Sequence, residues 1–123
     1  MPPHCVLWFD ARCPASRRTL ELLRERGVEP SLRRFLEEPP TVEELDALLR
    51  VLGAPPHALA RADADEYQAL RLSERTAPDA LIRAIVQHPR ILERPIVVCG
   101  ERGLVARPPE RVSELFPAEA GMV

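Results

Sequence analysis

His4-Cys-Val-Leu-Trp-Phe-Asp10-Ala-Arg-Cys13-Pro-Ala-Ser-Arg-Arg-Thr-Leu-Glu-Leu-Leu-Arg-Glu-Arg-Gly27 holds a strand, a turn and a helix in close succession. Residues 4–9 are an apolar run rich in β-formers and closed by Asp10, the pattern of a buried strand. Pro14 suits a first helical position, where its missing N–H would have no partner anyway. Leu20, Leu23 and the stop at Gly27 complete the helix, which makes Cys13 its N-cap. Ser31–Leu36 reads as a second strand. Strand, helix and strand in so short a span imply a parallel βαβ unit.

Outward from this opening, Thr41 and Glu44 spell a capping box, followed by Leu45, Leu48, Leu49 and Leu52 at helical spacing up to Gly53. Short helices are expected around residues 56–60 and 64–70. A clearer one follows Thr76, with Pro78 in its first turn, Leu81, Ile82, Ile85 and Val86 on one face, and Pro89 as the stop. Pro95–Cys99 and Leu104–Ala106 flank Gly100-Glu-Arg-Gly103 and read as an antiparallel hairpin. A last helix starts near Pro109, and residues 117–123 read as a flexible tail. The expected fold is α/β: a thioredoxin-like four-stranded mixed sheet, with a helical insertion (about 40–90) between the βαβ unit and the C-terminal β-hairpin. One domain, 1–123, is expected.

A net charge of −2 offers no basic face for a run of phosphates, which argues against nucleic acid. The N-terminus has neither a basic n-region nor a long apolar run, so no membrane partner or signal peptide is expected and the reading is cytoplasmic. His4, His57 and His88 are scattered, and the three cysteines, at 5, 13 and 99, stand at no metal-ligand spacing; no metal is expected. A reducing compartment disfavours a structural disulfide, so Cys5 and Cys99 read as packed strand residues. Trp8 reads as core.

Cys13 is the candidate nucleophile. At a helix N-cap the free backbone N–H groups and the helix dipole favour negative charge. The N–H groups from Ala15, Ser16 and Arg17 onward form a cradle for a tetrahedral oxyanion. Arg12 and Arg17 flank the site with positive charge. Ser16 stands where a dithiol oxidoreductase carries its second cysteine, so an adduct on Cys13 must be resolved by an outside thiol or a distant cysteine.

With these elements assembled, the chain resembles the glutaredoxin-linked arsenate reductase family. The resemblance rests on Cys13 with Ser16-Arg17 behind it, Glu37-Glu-Pro-Pro-Thr-Val-Glu-Glu-Leu45, Ala60-Arg61, His88-Pro89, Glu93-Arg-Pro-Ile-Val-Val98 and Arg107-Pro-Pro109, across about residues 5–115. It implies that Cys13 attacks arsenate, glutathione as co-substrate attacks the arsenic adduct, arsenite leaves, and glutaredoxin recycles the mixed disulfide. It implies no bound cofactor. It places the oxyanion on Arg61, Arg94 and Arg107, as guanidinium forks suit such ligands, and makes Pro95 a cis-proline that helps dock glutathione. Where the family usually carries His-Asn-Pro ahead of the cysteine, this chain has Phe9-Asp10-Ala11-Arg12. Asp10, near the sulfur, opposes thiolate formation unless an arginine pairs with it, and Arg12 or Arg17 is available for that. Besides arsenate reduction, two readings stay open: a glutathione-dependent thiol reductase for another substrate, and a non-enzymatic redox regulator that binds a transcription partner.

Overall fold

A computed structural model describes residues 4–116. Residues up to Arg34 together with those from Arg94 form one compact unit, and Phe35–Glu93 form another.

The first unit holds a four-stranded mixed sheet in the order β2-β1-β3-β4, with β1 Cys5–Trp8, β2 Ser31–Arg33, β3 Ile96–Cys99 and β4 Arg102–Val105. β1 and β2 run parallel, joined by α1 (Pro14–Glu25), while β1/β3 and β3/β4 are antiparallel. This is the thioredoxin-like arrangement expected from the order of elements. Alternation along the strands sends Cys5, Leu7 and Phe9 with Val97 and Cys99 into one core, joined by Leu23 and Val28 of α1 and its exit, and by Val112 and Leu115. Gly27 closes α1 at φ +79°, a left-handed conformation that favours glycine. That turn lets the Val28 N–H reach the Leu23 carbonyl and the Gly27 N–H reach the Arg24 carbonyl, with Val28 and Leu23 both in the core.

Three boundaries differ from the sequence expectation. β2 stops at Arg33, not Leu36, because β1, its one neighbour in the sheet among the described residues, ends at Trp8 opposite Arg33. The hairpin turn holds two residues, Gly100 and Glu101, since Cys99 pairs with Arg102; Gly100 at φ +63° supplies the tight turn. The closing helix is a 3-10 segment, Pro109–Leu115. Its buried residues Val112 and Leu115 are three apart, the repeat at which 3-10 side chains line up. The tail at 117–123 lies outside the described residues.

The expectation of unpaired strand cysteines is corrected. Cys5 and Cys99 stand directly opposite each other in the β1/β3 ladder and are joined by a disulfide across a sequence separation of 94. No local spacing signals this pairing, because strand register sets it.

In the second unit, α2 (Val42–Leu52) begins at the expected capping box. Thr41 Oγ1 accepts from the Glu44 N–H, and Glu44 Oε1 accepts from the Thr41 N–H. A 3-10 turn (Pro56–Leu59), α3 (Asp65–Ala69), α4 (Pro78–Gln87) and a 3-10 turn (Pro89–Ile91) follow. An isolated bridge pairs Ala60 with Leu92. Among the described residues, no helix is long and apolar enough to cross a membrane.

Candidate active site

The site grows from the end of β1. The Phe9 N–H still donates to the Arg33 carbonyl, after which Asp10 turns the chain. The Cys13 N–H donates to the Asp10 carbonyl at 2.9 Å, and the Arg12 N–H donates to Asp10 Oδ1 at 3.0 Å, the local bond by which aspartate favours turns. Cys13 sits at φ −90°, ψ 118°. Two rules converge on that extended conformation: an N-cap is non-helical, and the residue before proline is pushed out of the helical region. Its side chain makes no capping hydrogen bond and is partly exposed, so the sulfur is spent on neither capping nor core packing.

The cradle is narrower than expected, because Arg17 does not contribute a free N–H. The Arg17 N–H donates to the Cys13 carbonyl at 3.1 Å, closing the first turn of α1. With Pro14 lacking a donor, Ala15 and Ser16 supply the first-turn N–H groups that a helix leaves unpaired. Ser16 is fully buried and its Oγ accepts from the Asp10 N–H at 3.3 Å. Arg17 Nη1 donates to the Ala11 carbonyl at 2.8 Å, which lays this guanidinium over the loop.

The register of the sheet supplies the remaining groups. In the β1/β3 ladder Trp8 faces Ile96, and continuing it two residues brings Asp10 opposite Arg94. Arg94 Nη1 lies 3.0 Å from Asp10 Oδ2, in a pair whose side chains are only 5% and 13% exposed. Of the arginines the sequence makes available to Asp10, Arg12 contributes only its backbone N–H; the charge comes from Arg94 instead. In the β3/β4 ladder Ile96 faces Val105, and the Ala106 N–H donates to the Pro95 carbonyl. Arg107 comes next, and its Nη1 donates to the Arg94 carbonyl at 3.3 Å. Asp10, Arg94 and Arg107 thus form one row across the ends of three strands. The Arg94–Pro95 and Arg107–Pro108 bonds are both cis.

The remaining predicted arginine, Arg61, belongs to the second unit. Its N–H donates to the Ile91 carbonyl at 2.7 Å, beside the Ala60–Leu92 bridge, and its Nε lies 3.6 Å from Asp63 Oδ1. Among the described residues, no group of three or more His, Cys, Asp or Glu is placed to hold a metal ion.

The first unit thus defines a thioredoxin-like protein with one free thiol at a helix N-terminus, backed by two arginines at the sheet end. Residues 9–115 match the ArsC family. The uncharacterized protein YfgD of Escherichia coli (strain K12) is 40% identical over 94% of this chain and 98% of its own. Arsenate reductase of the same strain is 38% identical over 91% of this chain and 80% of its own. Among solved structures, an arsenate reductase from Vibrio cholerae superposes with a TM-score of 0.89 at 37% identity, covering 94% of this chain and all of that one. The chain belongs to the ArsC family of arsenate reductases.

Proposed function

We propose that this chain is a thiol-dependent arsenate reductase coupled to glutathione and glutaredoxin. Cys13 attacks arsenic and a water leaves, giving a covalent arsenic–sulfur adduct. Glutathione then attacks that adduct. Arsenate is reduced by two electrons to arsenite as one Cys13 thiol and one glutathione thiol are oxidised to a mixed disulfide, with one water released overall. Glutaredoxin reduces the mixed disulfide and returns the Cys13 thiol.

The observation that carries the coupling is the position of the other two cysteines. Cys5 and Cys99 are bonded to each other. Cys5 lies five residues before Asp10 on β1, about 17 Å along an extended strand. Both features support a resolving thiol that comes from outside the chain. Arg94 and Arg107 hold the oxyanion by charge-assisted hydrogen bonds. Ser16 and Arg17 support it from the start of α1, and Pro95 docks glutathione beside the thiol. No bound cofactor takes part, and the protein works in a cytoplasm that supplies glutathione. A second reading, a glutathione-dependent reductase of another substrate, draws support from Asp10, whose carboxylate already occupies Arg94.

Arsenate turnover measured with glutathione plus glutaredoxin, and separately with thioredoxin, tests the coupling. Turnover is expected only with glutathione and glutaredoxin, and it should survive replacement of both Cys5 and Cys99 by alanine. Turnover sustained by thioredoxin alone, and abolished by Cys5→Ala or Cys99→Ala, would replace this scheme with an intramolecular one.

A further inference from the structure

Resting on the glutathione reading of the resolving step, we propose that Arg34 anchors a carboxylate of the incoming glutathione. Arg34 follows β2 directly. β1 and β2 run parallel, so both end at the sheet edge from which the Cys13 loop leaves. The ladder pairs Leu7 with Leu32 and Trp8 with Arg33, and its next step sets Phe9 beside Arg34. Phe9 belongs to the core that holds Leu23 and Val28, and the Arg34 guanidinium carbon lies 5.4 Å from the centre of its ring, so Arg34 is on the α1 side of the sheet. Arg33 turns to the other face, where it lies over Trp8 at 5.1 Å, as strand alternation requires.

Arg34 is exposed while the Phe9 ring beneath it is buried, and the aromatic face holds the guanidinium in place. Among the described residues that guanidinium makes neither an ion pair nor a hydrogen bond. Its strand lies one strand spacing, about 4.8 Å, from β1, and just beyond the end of β1 the Cys13 N–H is tied to the Asp10 carbonyl. Arg94 and Arg107 stand on the other flank, at the ends of β3 and β4. They serve the oxyanion, so a thiol that reaches the Cys13 adduct with carboxylates of its own meets a separate cation at Arg34. Glutathione is such a thiol, with a carboxylate on either side of its cysteine. A guanidinium–carboxylate contact here orients it without changing the bonds made or broken in the resolving step.

Disulfide exchange at Cys13 tests this without arsenate. The rate of mixed-disulfide formation is measured with glutathione disulfide, which carries carboxylates, and with hydroxyethyl disulfide, which carries none; mass mapping identifies Cys13 as the site. In each reaction the Cys13 thiolate attacks one sulfur and expels the other half as a thiolate, and with the first reagent glutathione is brought beside Cys13 as in the resolving step. Arg34→Gln is expected to lower the ratio of the two rate constants about three- to fivefold, the weight of one exposed ion pair of good geometry, and Arg34→Glu to lower it further. Arg75→Gln, the same loss of charge at an exposed site of the second unit, should leave the ratio unchanged. A ratio unmoved by both Arg34 variants, or moved equally by Arg75→Gln, would overturn the proposal. So would equal slowing with both disulfides, which a merely structural role gives. These outcomes leave the glutathione coupling standing. Absence of glutathione-supported arsenate turnover in the parent would instead remove that coupling, and the proposal with it.

Discussion

Replacing Arg94 by glutamine strips the charge from one side of a pair whose two side chains are 5% and 13% exposed, with 3.0 Å between Nη1 and Oδ2. Two unit charges with centres about 4 Å apart attract by about 4 kcal/mol at the effective dielectric of 20 that suits protein sites. Breaking a buried pair by removing one partner costs about 3–5 kcal/mol. Here Asp10 Oδ1 keeps its bond from the Arg12 N–H, so the stranded carboxylate is partly compensated. The loss in Arg94→Gln should then be about 2–4 kcal/mol, with a similar loss in Asp10→Asn. The double variant removes both charges of this pair and should cost less than the two losses added together. Urea denaturation of all four proteins yields the coupling energy directly, and about 2–3 kcal/mol is expected. A coupling below about 0.5 kcal/mol is what solvated surface pairs give, and it would refute the placement of Arg94 on Asp10.

Reduction of the Cys5–Cys99 bond should lower stability while leaving turnover within about twofold, since the bond lies at the far end of the ladder. Loop closure over a separation of 94 sets a ceiling of about 4–5 kcal/mol, read from denaturation with and without dithiothreitol; turnover lost from protein that stays folded would put these thiols in the chemistry. Thr41→Ala removes one arm of the capping box of α2 and should cost about 1 kcal/mol; no measurable change would mean that the reciprocal bonds do not hold in solution. Leu7→Ala, at a fully buried position of the sheet core, should cost about 2–5 kcal/mol by the same assay, and a loss under about 1 kcal/mol would contradict its packing.

What could be read from sequence was local. Pro14 marks the start of α1 and makes Cys13 its N-cap, because proline suits the first helical position. Thr41 and Glu44 marked α2 through bonds that span three residues. Register was not legible. Asp10 and Arg94 are 84 residues apart, and nothing in the intervening helical segment states which residue of β3 will face which residue of β1. The same ladder pairs Cys5 with Cys99, so one unread register hid both the disulfide and the partner of Asp10. Arg94 and Arg107 stand out by family resemblance and carry no local signal, as expected in a chain whose 17 basic residues are all arginine.

The central claim is that the Cys13 sulfur carries the chemistry and is resolved from outside. Peptide mass mapping after a single turnover with arsenate and glutathione, quenched by acid before glutaredoxin is added, tests it most directly. Glutathione bound through a disulfide to the peptide containing Cys13, absent without arsenate and absent in Cys13→Ser, is the result expected. Glutathione on Cys5 or Cys99 instead, or arsenite formed by Cys13→Ser at the parent rate, would contradict it.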